Sequence, residues 1–280
     1  MIRRLIINAD DLGMNASRTH GIFQSFEFGI VTSATLICNG SDATQAAKHA
    51  REKGLPAGLH LNLTDGTPIS KPQDIGSLLQ STAGEFRQRH EQQRALTEGQ
   101  IDTVHIEREI RAQIEWFLDH HGQPTHVDGH HHMHIHPAVT PLLIPILDRY
   151  GIGMMRIPAE DPLPPFGYVI REEQLAAVQA LAVQARTAQT FIAAHGIRTT
   201  DHFRGATLVG NASQKNLRHI LTRLPEGTTE LMVHPGSQTP IGSDFDLDPQ
   251  RQTELQMLMN PDVPRLLRER KIELISYAKM

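Results

Sequence analysis

The chain alternates short apolar runs, rich in β-branched residues, with longer stretches in which apolar residues recur every three or four positions. The first pattern is typical of buried strands, and the second is typical of helices with one buried face. The runs that predict strands are Leu5–Ala9, Ser33–Ile37, Ala57–Leu61, Thr125–Val127, Ile152–Ile157, Glu230–Val233 and Ile272–Ser276, with a further possible strand near Asp201.

Three amphipathic stretches predict helices between these strands. They run from Ile106 to Leu118, from Leu175 to Ala185 and from Leu217 to Leu224, and Ser213 is placed to cap the third. Strands that alternate with helices favour a parallel sheet covered by helices. Seven or eight such units suit a closed barrel, so we expect an α/β fold, a TIM-like (β/α) barrel with its active site at the C-terminal strand ends.

The sequence gives no sign of a second domain. No internal repeat or Gly/Ser-rich linker divides it, so residues 1–280 are predicted to form a single domain. The most irregular part runs from about residue 64 to residue 101, where prolines and glycines interrupt polar residues. We expect an insertion on the rim of the barrel, serving as a lid or a contact surface.

Charge, cysteine content and hydropathy argue against several classes of protein, namely nucleic-acid-binding, disulfide-bonded and membrane-spanning proteins. The formal net charge is -4 and no block of Lys or Arg stands out, so nucleic acid is not an expected partner. The single cysteine, Cys38, leaves no intrachain disulfide to form, and no apolar run reaches membrane-spanning length. We expect a cytoplasmic protein without a membrane span.

Polar residues that bind metals or move protons follow several of the predicted strands. Asp10 and Asp11 come after the first strand, His60 ends the apolar run Gly58-Leu59, Arg156 follows a pair of methionines, and His234 follows Leu231-Met232-Val233. The C-terminal ends of parallel strands open onto one face of a barrel. These side chains are therefore expected to converge, although they are far apart in sequence.

The strongest chemical signal is a histidine-rich segment. Six histidines and Asp128 lie within residues 126–136. Imidazole and carboxylate together suit zinc or another first-row divalent ion, and a catalytic site uses about three protein ligands and leaves a position for water. A surface tract that binds metal adventitiously is the simpler alternative. His126, Asp128 and His132, together with Arg156, are candidates to bind substrate or to support the metal ligands.

Each of these residues, taken alone, also has a structural interpretation. One aspartate of the acidic pair could cap a helix that begins near Asn15. A lone strand histidine such as His60 is more often a hydrogen-bonded core residue. Arg156 could be an ion-pair partner in the scaffold, and His234 could simply end a strand or could act as a general acid. The functional interpretations depend on these side chains meeting in space.

Six motifs stand in a fixed order: Asn8–Gly13, Gly29–Ser33, Gly58–His60, Thr125–His134, Met155–Pro158 and Val233–Gly236. Together they resemble the YdjC-like carbohydrate deacetylases, a family that includes the chito-oligosaccharide deacetylases. The resemblance covers essentially the whole chain and implies a (β/α) barrel, often with seven strands. The family more often has Ser where this chain has Gly129.

The resemblance also implies roles for individual residues. Asp11, His60 and His130 would be the ligands of one divalent metal ion, magnesium or zinc. Asp10 would be the catalytic base. His234 matches, more loosely, the position of the catalytic acid proposed in the wider polysaccharide-deacetylase group.

The expected function is therefore a metal-dependent hydrolase that removes the N-acetyl group from an N-acetylated amino sugar or oligosaccharide, releasing acetate and a free amine. A metal-dependent phosphoesterase, which usually uses two or three ions, is one alternative. A non-catalytic, His-rich metal-binding protein is another. An N-acetylated sugar is the expected partner, and a homodimer is possible. Family members differ most over residues 64–101, so the sugar itself is not predicted.

Overall fold

The computed structural model describes residues 2–80, 84–161, 170–239 and 242–280. The strands of the described residues are β1 Arg3–Leu12, β2 Ser33–Leu36, β3 Ala57–Leu61, β4 Val127–Gly129, β5 His202–Arg204, β6 Gly227–Val233 and β7 Ile272–Leu274. Their helices are α1 Ala16–Glu27, α2 Ala43–Lys53, α3 Arg89–Thr97, α4 Thr103–His120, α5 Thr140–Arg149, α6 Glu172–Ala194, α7 Gln214–Leu221, α8 Asp244–Leu247, α9 Gln250–Leu258 and α10 Val263–Glu269.

Every strand pairing in the described sheet is parallel, as the alternation of strands and helices predicts. Six strands form a curled half-barrel in the order β4-β3-β2-β1-β6-β5, and β7 pairs with the first residues of β1. Single bridges extend the curl beyond β4, from Val127 to Met155 and from Met154 to Arg198. The predicted α/β class is confirmed and the sheet is consistent with a TIM-like barrel, whereas a closed barrel of seven strands stays a prediction.

Several predicted strands begin or end at other residues in the structure, and two differ by more than that. The strand expected at Thr125–Val127 is displaced to Val127–Gly129. Within Ile152–Ile157 only Met154 and Met155 form bridges, so the prediction of a continuous strand is wrong there. Gly153 lies in the middle of this stretch, and a glycine inside a strand weakens its pairing.

The helices follow the amphipathic stretches of the sequence. On α4, Ile106, Ile110, Ile114 and Phe117 are buried at intervals of three or four residues, which is the predicted buried face. The side chain of Ser213 accepts a hydrogen bond from the backbone of α7, as its position in the sequence indicates. No helix in the described ranges has both the length and the apolar content needed to cross a membrane.

The described part of the irregular segment, residues 64–80 and 84–101, is tied to the main core. Ile75, Leu78, Phe86 and Leu96 are buried within the same hydrophobic cluster as the strands. Burial of these side chains anchors α3 and the preceding turns against the sheet. That the segment is an insertion on the rim of a single domain over residues 1–280 stays a prediction.

Candidate active site

A break in the register of β1 brings two successive aspartates to the same place. Between Ala9 and Leu12, β1 advances by three residues while the paired β2 advances by two. Asp11 has φ +69°, in the left-handed region. Adjacent side chains of a regular strand point to opposite faces, and a β-bulge interrupts that alternation. As a result, the carboxylates of Asp10 and Asp11 both enter the group of side chains that surrounds His60.

The acidic pair does not cap the following helix. Asn15 is the residue that precedes α1, and its Oδ1 accepts a hydrogen bond from Arg18 N at 3.0 Å. The capping alternative for the aspartates is therefore wrong, and both carboxylates are left for other contacts.

Asp11, His60 and His130 meet at the C-terminal ends of β1, β3 and β4. Asp11 Oδ1 lies 3.0 Å from His130 Nδ1 and 3.3 Å from His60 Nε2, and the two nitrogens are 3.3 Å apart. All three residues are buried, with at most 8% of their surface exposed. Three atoms with lone pairs at such distances could hold a common metal ion.

Two further observations fit a divalent cation at this point. Asp11 Oδ1 is buried without a hydrogen-bond partner. His60 Nδ1 lies 2.7 Å from Asp128 Oδ1, and a carboxylate in this position fixes the tautomer in which Nε2 carries the free lone pair. Two imidazole nitrogens and one carboxylate oxygen form a donor set typical of catalytic zinc, whereas magnesium prefers oxygen ligands.

The surrounding acids favour positive charge on the two histidines. Burial would lower the pKa of His60, but Asp128 and Asp11 outweigh it and raise that pKa to about 10. Burial likewise opposes protonation of His130, while Asp11 raises its pKa above the ordinary value. A divalent ion bound by these rings would replace the protons and would meet the same negative charge of Asp11 and Asp128.

Arg156 connects the acids of the site. It is fully buried and binds Asp10 with two contacts, Nη1 to Oδ2 and Nη2 to Oδ1, both 2.6 Å. Nη1 also lies 2.7 Å from Asp128 Oδ2, and Nε donates to Glu230 Oε1 at 2.8 Å. Burial opposes the ionisation of Asp10, but the Arg156 guanidinium holds the pKa of Asp10 well below its ordinary value. Arg156 thus orients a carboxylate of the site and is not merely a distant ion-pair partner in the scaffold.

Arg18 supports the other aspartate. Its Nη1 donates to Asp11 Oδ2, and its Nε donates to Asp246 Oδ1 at 2.6 Å. The guanidinium lies 4.7 Å from the ring centroid of Phe245. Arg18 therefore fixes the oxygen of Asp11 that faces away from His60 and His130.

His234 follows β6 and lies on the Asp10 side of the group. Its Nε2 is 4.0 Å from Asp10 Oδ2, its backbone nitrogen donates to Glu254 Oε2 at 2.6 Å, and its buried Nδ1 has no hydrogen-bond partner. Burial lowers the pKa of His234 to about 3. The imidazole is therefore neutral in this structure.

The chain matches the sequence pattern of the family described as YdjC-like protein over residues 4–269. The chain belongs to the YdjC-like family. A relative from Mus musculus named carbohydrate deacetylase is 34% identical, over 97% of this chain and 93% of the relative. A relative of the same name from Geobacillus stearothermophilus is 32% identical, over 99% of this chain and 98% of the relative.

A solved structure agrees with the fold of this YdjC-like chain. The crystal structure of a candidate cellobiose-phosphate cleavage protein from Enterococcus faecalis V583 superposes with a TM-score of 0.81 and 23% sequence identity. The match covers 100% of this chain and 99% of that chain. At this identity the likeness establishes the architecture alone.

Of the six histidines in the histidine-rich segment of the YdjC-like chain, His130 alone lies in the group with Asp11 and His60. His126 stacks on Tyr277, with ring centroids 3.5 Å apart, and His132 packs at a right angle against Phe203. His134 Nε2 lies 3.1 Å from the backbone oxygen of Arg156. The structure therefore brings Asp128 and Arg156 to the site, whereas His126 is buried beside it and the half-buried His132 packs against Phe203.

Four supporting residues of this YdjC-like site were missed in the sequence: Arg18, Asp246, Glu230 and Tyr277. Tyr277 donates its hydroxyl to Glu230 Oε2 at 2.6 Å and so completes the chain of contacts behind Arg156. A charged residue within the apolar strand β6 is a signal that would have pointed to Glu230. Arg18 and Asp246 carry no such signal, because their burial depends on contacts between α1 and α8.

Proposed function

We propose that this YdjC-like chain is a metal-dependent carbohydrate deacetylase that hydrolyses the N-acetyl group of an N-acetylated amino sugar or oligosaccharide to acetate and a free amine. The name shared by its relatives supports the carbohydrate and the reaction. The observation that carries the metal dependence is the meeting of Asp11, His60 and His130 within 3.3 Å, beside Asp10.

Asp11, His60 and His130 are the proposed ligands of one divalent ion, zinc or magnesium. Such an ion, when bound, lowers the pKa of a water molecule and polarises the acetamide carbonyl. Three protein ligands leave coordination positions for water and substrate. Asp128 and Arg18 keep His60 and Asp11 in the orientation that this requires.

Asp10 is the proposed general base. Arg156 keeps its carboxylate ionised at neutral pH and fixes its plane with two contacts. Asp10 Oδ1 also accepts from Asn8 Nδ2 at 2.9 Å, but a carboxylate oxygen has two lone pairs, so Oδ2 can still accept a proton from water while it binds Arg156. Arg156 therefore orients the Asp10 carboxylate and leaves it able to accept a proton.

His234 is the proposed general acid for the leaving amine. It lies 4.0 Å from Asp10, so both side chains face the same space. Because burial holds His234 neutral at rest, it has to receive a proton during the cycle before it can donate one. The proton that Asp10 takes from water is the nearest source.

The contacts of Arg156 favour one ion over the two or three of a phosphoesterase. A second group that could hold a metal consists of Asp10, His60 and Asp128. Arg156 Nη1 already lies 2.6 Å from Asp10 and 2.7 Å from Asp128, so a second cation would have to compete with a buried guanidinium. A measured stoichiometry of one ion per chain would support deacetylation, and two or more would support the phosphoesterase.

The decisive assay measures acetate released by zinc- or magnesium-loaded protein from a panel of N-acetylated mono- and oligosaccharides. Asp10→Asn is expected to keep its metal and lose turnover, and His130→Ala is expected to lose the metal as well. Asp119→Asn, on the exposed end of α4, is the matched control and should behave as wild type. Near-normal turnover of Asp10→Asn would exclude Asp10 as the base, and absence of released acetate across the panel would contradict the proposed reaction.

A further inference from the structure

The loop that follows β3, residues 62–70, is held at both ends by one helix. Gln113 on α4 clamps the backbone of Asn62: its Nε2 donates to Asn62 O at 2.6 Å, and its Oε1 accepts from Asn62 N at 2.9 Å. One turn earlier, Glu109 accepts from Ile69 N at 3.0 Å and from Ser70 N at 2.9 Å. Gln113 also donates to Glu109 at 2.8 Å, and both side chains are fully buried.

The side chain of Asn62 connects this restrained backbone to the tip of the loop, Thr64 and Asp65. Its Oδ1 accepts from Thr64 N at 3.0 Å and from Asp65 N at 3.2 Å, while its Nδ2 donates to Asp65 O at 2.8 Å. Side-chain bonds of this kind stabilise a tight turn. The positions of Thr64 and Asp65 are therefore set by contacts that begin on α4.

The tip contacts two successive histidines. Thr64 Oγ1 lies 2.8 Å from His131 Nδ1, and Asp65 Oδ2 lies 3.8 Å from His130 Nε2. The rings of His130 and His131 are 4.0 Å apart, so fixing one ring restrains the other. His131 has φ +51°, a left-handed conformation that costs a non-glycine residue about 1–2 kcal/mol. Contacts from outside the turn have to hold it there.

We propose that Glu109 and Gln113 are positioning residues for the metal site, which act through the loop 62–70 so that Thr64 and Asp65 keep His130 Nδ1 directed towards Asp11. This inference rests on the proposed role of His130 as a metal ligand. The partners of a ligating histidine fix its ring, and their loss typically lowers metal affinity about 10- to 100-fold. The start of the irregular segment 64–101 would then support the metal site from the rim.

Zinc affinity, measured by competition with a chromogenic chelator, tests this without using turnover. Thr64→Val keeps the shape of the side chain but removes the hydroxyl, and it is expected to weaken zinc binding about 10-fold. Thr64→Ser restores the hydroxyl and should restore the affinity. Glu109→Gln places an amide nitrogen where a backbone N–H of the loop needs an acceptor. Its zinc affinity is therefore expected to fall by a similar factor.

Glu115→Gln is the matched control on the same helix, because Glu115 accepts from the Tyr150 hydroxyl instead of from the loop. It should bind zinc as wild type does. If Thr64→Val and Glu109→Gln both kept wild-type affinity, the positioning role would be wrong, and the proposed function would stand. If the wild-type protein bound no ion, the proposed function itself would fail. Should Glu109→Gln not fold, wild-type zinc affinity in Thr64→Val would still overturn the proposal, because Thr64 forms the hydrogen bond through which the loop reaches these histidines.

Discussion

Replacing Arg156 with lysine keeps the positive charge at the centre of the site but removes the planar guanidinium that contacts several carboxylates. Arg156 makes five nitrogen–oxygen contacts of 2.6–2.8 Å with the carboxylates of Asp10, Asp128 and Glu230. A lysine keeps the positive charge but carries its three donors on one nitrogen, so it cannot span both oxygens of Asp10 and also reach Glu230. Asp10 should lose one of its two contacts with Arg156, and the remaining contact, with the Asn8 Nδ2 bond to Oδ1, holds the carboxylate less firmly.

The expected effect on turnover follows from that one contact. A hydrogen bond to a charged group contributes about 1.5–3 kcal/mol. If this is lost from the transition state, kcat falls by about 10- to 100-fold, because about 1.4 kcal/mol corresponds to a factor of ten. Arg156→Met removes the charge as well and leaves three carboxylates buried without their cation, so the free energy of unfolding should fall by about 3–5 kcal/mol.

The assay compares kcat for acetate release at saturating metal with the metal content and with urea unfolding of each variant. Arg149→Lys, at the exposed end of α5, provides the control for a conservative exchange. Arg156→Lys should retain its metal, since none of the five contacts of Arg156 is to Asp11, His60 or His130. Wild-type kcat in the Arg156→Lys protein would refute the view that a bidentate guanidinium orients the base.

Two further predictions concern the support of Asp11. Arg18→Lys should weaken metal binding about 10-fold in a chelator competition, because an ammonium cannot bind Asp11 and Asp246 as the guanidinium does; unchanged affinity would contradict this role. Burial opposes the ionisation of Asp246, but Arg18 and Ser243 hold its pKa below the ordinary value of 3.8. A carboxyl with a depressed pKa stabilises the fold above its ordinary pKa and loses that contribution as the pH falls. As the pH falls from about 6 to about 3, the free energy of unfolding should therefore decrease less for Asp246→Asn than for wild type, as measured by urea unfolding. An equal decrease in both proteins would show that the ionised Asp246 carboxylate does not contribute to this pH dependence.

Much of the fold could be predicted from the chain because its signals are local. The buried strand Ala57–Leu61 was predicted with its exact bounds, and the apolar stripe of α4 gave the helix with its buried face. Where Gly153 interrupts an apolar run, the same pattern predicted a strand longer than the two bridged residues, Met154 and Met155, that the structure shows. Closure of the sheet depends on pairing between distant segments, which periodicity does not encode.

The candidate site could be predicted in part for a similar reason. Polar residues at the ends of parallel strands have to converge, and Asp11, His60 and His130 do meet. The bulge between Ala9 and Leu12 could not be foreseen, because it exists only in the register of β1 against β2. The restraint of the loop by Glu109 was equally hidden, since a glutamate on an amphipathic helix usually faces solvent.

The charges of the site give a last prediction, that the metal stabilises the fold. Five carboxylates contact two guanidiniums, Asp10, Asp128 and Glu230 on Arg156, and Asp11 and Asp246 on Arg18, so the acids outnumber the guanidiniums whenever His60 and His130 are deprotonated to bind a metal. The folded chain concentrates this surplus of negative charge in a buried space, whereas the unfolded chain separates the same groups. A divalent ion should therefore bind the folded state preferentially.

Preferential binding raises stability by mass action, by about 2.7 kcal/mol when the free ion is at 100 times its Kd. Zinc added to protein stripped with a chelator should raise the Tm in proportion to the logarithm of its concentration. His130→Ala should lose this rise, because it removes one of the three ligand atoms, whereas Asp119→Asn should retain it. If the chelator left the wild-type Tm unchanged and zinc did not raise it, the three atoms around Asp11 Oδ1 would not be an ion site, and their close approach would require another explanation.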